Sequence, residues 1–212
     1  DSLSKRLSEQ KSDTVVFAFG RFNPPTIGHE KLFKKVESEG KRAKDHFVYA
    51  SHSEDNKKNP LNPRLKQRIL KKAFPRNNVV ISSKQMPTAL HIASALYEKG
   101  YKNLVMVAGS DRVQEFKKLL DRYNNEKSRH GFYNYETINV VSSGERDADA
   151  EDVSGASGTK MRMYAAKGDY ESFKKYSPSK LSDREVKQTF GAVRKALPNL
   201  QATMNFPVIS VR

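Results

Sequence analysis

The chain has 212 residues, enough to bury one good α/β core with additions at its ends. Its 39 Lys+Arg against 24 Asp+Glu give a formal charge of +15, which favours an anionic partner, either nucleotide or nucleic acid. There is no cysteine, which excludes disulfides, thiolate catalysis and a Cys-based metal site. No apolar run approaches transmembrane length and no signal peptide is visible, so a cytoplasmic or intracellular setting with no membrane partner is expected. The sequence does not open on Met, which leaves a trimmed or processed start open. The lysine pairs Lys57-Lys58, Lys71-Lys72, Lys117-Lys118 and Lys174-Lys175 are spread over several predicted elements, so they imply no single basic stripe.

Residues 1–13 are polar, with two leucines, and read as a flexible arm or frayed helix outside the core. Thr14 to Phe19 is a buried strand by its β-branched and aromatic content. Glu30 to Lys41 follows as a helix with Leu32, Phe33 and Val36 on one face. His46 to Ala50 is a second strand. Asn62-Pro63 then caps and opens a helix in which Leu65, Ile69, Leu70 and Ala73 form the inner face and which stops at Phe74-Pro75. Val79 to Ser82 is a third strand, and Thr88 caps a helix to about Lys99, closed by Gly100.

Leu104 to Ala108 is a fourth strand, ending in Gly109-Ser110-Asp111. A helix from about Arg112 to Arg122 follows, and Asn124 to Glu136 is a polar, Tyr-containing loop. Ile138 to Val141 is the last strand. Residues 143–156 are rich in Gly, Asp and Ser and are expected to be mobile. Ser157 begins another helix, and Ser182-x-x-Glu185 is a capping box opening a last one with Val186, Phe190, Val193 and Leu197 inward. The tail 199–212 lacks helical periodicity. Strands alternating with helices predict a doubly wound parallel sheet over residues 14–176, a helical extension over 177–198 and a tail, with ligands gathered at the C-terminal ends of the strands.

Two strand-to-helix connections stand out there. Gly20-Arg21-Phe22-Asn23-Pro24-Pro25-Thr26-Ile27-Gly28-His29 places a Gly, two prolines and then Gly28 and His29 at a helix start, where backbone amides favour an anion and an imidazole adds a donor. Ala156-Ser157-Gly158-Thr159-Lys160-Met161-Arg162 is a second helix start. Ser157 and Thr159 offer hydroxyls to phosphate, Gly158 permits close approach, and Arg162 adds a charged fork one turn later. Taken singly, the second stretch reads as an ordinary capped helix with a surface Arg. Asp111 reads equally as a ligand contact or as the N-cap of its helix.

Thr26-Ile27-Gly28-His29 fits the (Thr/His)-x-Gly-His signature of the nucleotidylyltransferases, and residues 156–162 resemble their Ile-Ser-x-Thr-x-x-Arg signature. Gly20-Arg21-Phe22-Asn23-Pro24 is similar to the opening of archaeal-type nicotinamide mononucleotide adenylyltransferases. Ala165 to Phe173 is similar to phage-encoded relatives. The resemblance covers roughly 15–167. It implies a Rossmann-like fold and transfer of a nucleoside monophosphate, AMP from ATP in preference to CMP from CTP, onto a phosphomonoester with loss of pyrophosphate. It implies that His29 and Thr26 contact the α/β-phosphates, and that Ser157, Thr159 and Arg162 hold the β/γ-phosphates. Gly20, Arg21, Phe22, Gly28 and Gly158 would frame the nucleotide, and Gly109 and Asp111 would meet the nucleoside. Lys58, Arg64 and Arg68 resemble the acceptor-phosphate region of pantetheine-phosphate adenylyltransferases, although a solvated basic face explains them nearly as well.

The attacking group is already anionic, so no activating base is required, and none is evident. Mg²⁺ is expected with the triphosphate, held mostly by phosphate oxygens and water. His46, His52, His91 and His130 show no metal spacing. Three departures bear on the acceptor: Thr26 stands where the nicotinamide-linked branch has His, Ala156 replaces Ile, and there is no Trp. Tyr123, Phe132, Tyr133 and Tyr135 either stack an aromatic acceptor or simply pack down. Two competing readings are a catalytically idle relative with a binding or virion role, and a tRNA-binding synthetase fragment. The intact signatures weigh against the first, and the lack of a Lys-Met-Ser-Lys-Ser loop weighs against the second.

Overall fold

The computed structural model describes residues 2–144 and 156–197, so most of the predicted mobile loop and the whole tail lie outside the described residues. The described chain gathers into two compact units: residues 2–20, 29–52 and 74–144 in one, residues 21–28, 53–73 and 156–197 in the other.

The first unit holds a five-stranded, all-parallel sheet. Its strands are β1 (Thr14–Gly20), β2 (Asp45–Ala50), β3 (Val79–Ile81), β4 (Asn103–Ala108) and β5 (Thr137–Ser142), in the order β3-β2-β1-β4-β5. The central strand β1 buries Val15, Val16, Phe17 and Ala18 almost completely, as a parallel strand covered on both faces must. Chain order runs outward from β1 to β3 and then returns to β4 on the other side. The order therefore reverses between β1 and β4, and the ends of these neighbours are the switch point where such sheets bind ligands. The Gly20–His29 connection begins there, and Gly109–Asp111 follows β4.

Helices α1 (Ser2–Ser12), α2 (Glu30–Gly40), α4 (Ala89–Glu98) and α5 (Val113–Arg122) complete this unit. The N-terminal arm is thus helical, with Leu3 and Leu7 exposed. Thr88 caps α4 as expected, its side chain accepting from the His91 amide. The Tyr-containing loop packs inward: the Tyr133 hydroxyl donates to Leu120 O and the Tyr135 hydroxyl to Ala93 O, both at 2.6 Å. Both rings belong to the core with Phe17, Leu96 and Met106, and burial raises both phenol pKa values. These tyrosines are structural, which resolves the choice left open by their sequence.

The second unit holds α3 (Pro63–Ala73), α6 (Gly158–Lys167), α7 (Tyr170–Lys175) and α8 (Asp183–Ala196) around Leu61, Met161, Ala165, Phe173, Val186 and Val193. Asn62 Oδ1 accepts from the Arg64 amide at 2.9 Å, so Pro63 sits in the first turn, where its missing N–H costs nothing. The Ser182–Glu185 capping box forms with both bonds present. No helix among the described residues is long and apolar enough to cross a membrane.

Candidate active site

In the second unit the two signatures meet. The guanidinium of Arg162 donates to the backbone oxygen of Asn23 at 2.9 Å and to Thr159 Oγ1 at 3.3 Å. Gly158 makes this possible, since a Cβ there would stand 3.0 Å from Arg162 Nη1 and 3.9 Å from Asn23 O. Arg162 is half-buried. Burial lowers its pKa, the nearby Arg21 lowers it further and Asp55 acts the other way. An arginine so placed stays charged and is short of counter-charge, which is the condition for gripping an anionic ligand. Gly28 lies against the same patch, a Cβ there falling 3.4 Å from Thr26 Oγ1 and 3.8 Å from Ala156 Cβ.

Phe22 to Thr26 are buried, whereas Arg21, Ile27 and Gly28 are exposed. Phe22 takes φ 48, a left-handed conformation rare for a bulky residue, and its side chain is buried. Thr26 is 1% exposed, so its hydroxyl belongs to the turn itself. Ser157 is the N-cap of α6, its hydroxyl accepting from Lys160 N at 3.1 Å, which leaves its O–H to donate to a ligand oxygen.

Two further residues hold this turn and a third orders the 57–59 loop, none of which was singled out from the sequence. Asn23, 4% exposed, accepts from Leu61 N at 2.8 Å through Oδ1, while its Nδ2 is buried without a hydrogen-bond partner among the described residues. Lys66 is fully buried and donates to the backbone oxygen of Arg21 at 2.7 Å; burial lowers its pKa to about 8. Its signal was present: 66, 69, 70 and 73 share the inner face of α3, so a cation there interrupts an apolar stripe. Asp55 accepts from Asn59 Nδ2 and from the amides of Lys57, Lys58 and Asn59, which hold its carboxyl far below the usual range. An Asp two residues before a Lys-Lys-Asn run is an Asx-turn pattern.

Lys58 is exposed beside that turn. Arg64 and Arg68 emerge on the outer face of α3, opposite Lys66, and line an open hollow with Gln67, Lys71 and Lys72.

In the first unit, Gly20 ends β1, its oxygen accepting from Ser51 N at 2.9 Å. His29 closes a short 3₁₀ turn, Ile27–His29, and stands at the N-cap of α2. Its imidazole makes no capping bond, and the residue is half-exposed. Gly109 caps a 3₁₀ turn, Ser110–Arg112, and Arg112 precedes α5. Asp111 is exposed within the turn and caps neither helix. The other histidines have local partners: His46 with Arg76 O, His91 with Thr88, and His130 with Ser128. His52 Nδ1 is buried without a partner among the described residues. No group of three or more His, Asp or Glu side chains suited to a metal gathers among the described residues.

A family model described as cytidylyltransferase-like matches residues 17–163, which spans both signatures. No curated protein matches. Among solved structures, one from Vibrio parahaemolyticus, provisionally named a nicotinate-nucleotide adenylyltransferase, is similar at 15% identity and a TM-score of 0.47. The similarity covers 84% of this chain and 98% of that one.

Proposed function

This chain belongs to the cytidylyltransferase-like family and is a nucleotidyltransferase, and from that premise we propose that it moves AMP from ATP onto a phosphomonoester, releasing pyrophosphate. An oxygen of the acceptor phosphate attacks the α-phosphorus. A new P–O bond forms, the α–β bridging bond breaks, and the pyrophosphate leaves with the electron pair. No proton need be taken from the attacking group. The protein's work is to align two anions and neutralise charge as it moves to the leaving group.

Arg162, Thr159 and Ser157 grip the β- and γ-phosphates. His29 donates toward the α/β bridge, and the Thr26–Gly28 turn lets the triphosphate approach the backbone closely. Gly20, Arg21 and Phe22 frame the nucleotide, Gly109 and Asp111 meet the nucleoside, and Lys58 with Arg64 and Arg68 takes the acceptor's phosphate. Mg²⁺ arriving with the triphosphate would be held by phosphate oxygens and water and would help to spread the leaving group's charge. Lys66 and Asn23 fix the backbone of the turn, Asp55 orders the 57–59 loop, and none of the three touches a reacting atom.

The observation that carries this reading is the contact of Arg162 with Asn23 O, which ties the second signature to the stretch that leads into the first. Pyrophosphate release, assayed with ATP and CTP against a panel of phosphomonoesters, tests it. ATP with one acceptor class should release pyrophosphate, and the Arg162→Ala variant should not. Release from CTP alone would reassign the donor.

A further inference from the structure

The sequence scatters its paired lysines, but α3 collects cations on one side. Arg64, Arg68, Lys71 and Lys72 follow the spacing that keeps side chains on one helical face, with Lys66 turned the other way to Arg21 O. They line two adjoining open hollows that share Arg68 and Lys72, the second walled by Ser182, Arg184, Glu185 and Gln188 at the start of α8. All of these residues lie in the second unit.

Several helical cations elsewhere are matched by a carboxylate about one turn away: Lys35 by Glu39, Arg112 by Glu115, Lys117 by Asp121, Lys187 by Asp183. This face lacks that match. Residues Asn56 to Ala73 contain no Asp or Glu. Among the described residues, the one carboxylate forming an ion pair with these cations is Glu185, at 4.0 Å from Lys72 Nζ, and its other oxygen is held by the Ser182 amide. Like charges at i,i+4 repel, so what this surface lacks is an anion, and a polyanion meets all of it at once.

We propose that the outer face of α3, with Arg184, docks the phosphate backbone of a nucleic-acid duplex. At 1.5 Å per residue, Arg64 to Lys72 spans about 12 Å. That matches about three to four phosphates of one strand at 3.4 Å along the duplex axis. Among the described residues no aromatic side chain lines either hollow, so these residues offer no platform for stacking exposed bases, which favours duplex over single strand and backbone over sequence. Such docking shares Arg64 and Arg68 with the acceptor subsite proposed above, whereas Lys71, Lys72 and Arg184 belong to it alone.

Fluorescence anisotropy of the full chain with labelled duplex DNA of about 20 base pairs measures this, with duplex RNA, a single strand of the same length and phosphatidylserine vesicles as further arms. Duplex binding should weaken with salt, log K falling against log salt with a slope of about 4.5 for five engaged cations. Lys71→Gln/Lys72→Gln/Arg184→Gln should lower that slope by about 3 and weaken binding by about 100-fold near ~0.1 M salt, with melting temperature unchanged. An equal charge change in the first unit, Lys41→Gln/Lys44→Gln/Lys127→Gln, should leave affinity within about threefold, since those side chains contact no phosphate. Equal weakening by both triple variants would reduce the effect to net charge and overturn the assignment. So would tighter binding of the single strand, or vesicle binding without duplex binding.

Discussion

His29 carries the sharpest consequence at the scale of single residues. It stands at the N-cap of α2 and is half-exposed, and its imidazole does not cap the helix. If it donates to phosphate as charge develops, His29→Ala should lower single-turnover rate by ~10²–10³ while melting temperature holds, the size seen when one preorganised donor is removed. A less stable variant with an unchanged rate per folded molecule would take His29 out of the site. Lys66 gives a pH test. Its pKa is lowered to about 8 by burial, below its unfolded value, so between about pH 8 and 10.5 the unfolded state binds more protons than the folded state. Stability from this group is therefore reduced below pH 8 and recovered as pH rises through that window. Relative to Lys66→Met, the wild type should gain up to about 1.4 kcal/mol per pH unit there. Parallel pH profiles for the two proteins would show that Lys66 titrates normally. The hydroxyls and charged groups of the site were legible because signature spacing names them. Lys66 and Asn23 were not, because their roles depend on which distant backbone atoms they meet.

At the scale of elements, local chemistry made most of the fold readable. Proline at 63, Thr88 and the Ser182–Glu185 pair each mark a helix start through a bond to a residue two or three positions away, and all three formed. The β-rich runs gave the five strands, and alternation with helices gave their parallel order. The loop from Asn124 was harder, because Tyr133 and Tyr135 bond to Leu120 and Ala93, and a polar composition conceals rings that pack inward with satisfied hydroxyls. The second unit was also unreadable as such, being built from three separated stretches joined by long-range bonds such as Leu61 to Asn23. The capping box supplies a test here. Ser182→Ala should cost ~1 kcal/mol, lowering the melting temperature by about 2–4 °C. No measurable loss would mean that the start of α8 is frayed in solution.

For the whole molecule, a charge of +15 and two signatures joined through Arg162 point to anion handling throughout. Charge alone does not identify a reaction, since a kinase, a hydrolase and a nucleotidyltransferase all grip triphosphates. What separates them is which phosphorus is attacked. In the function proposed here, the arginine fork and the α6 start hold the leaving pyrophosphate, which makes the α-phosphorus the electrophile. The most direct measurement follows the label of ATP marked at the α-phosphate, incubated with the accepted phosphomonoester. The account predicts that this label moves into the acceptor product while a γ-label is released in pyrophosphate. Label from the γ-position in the acceptor, or α-label recovered only in ADP, would contradict it.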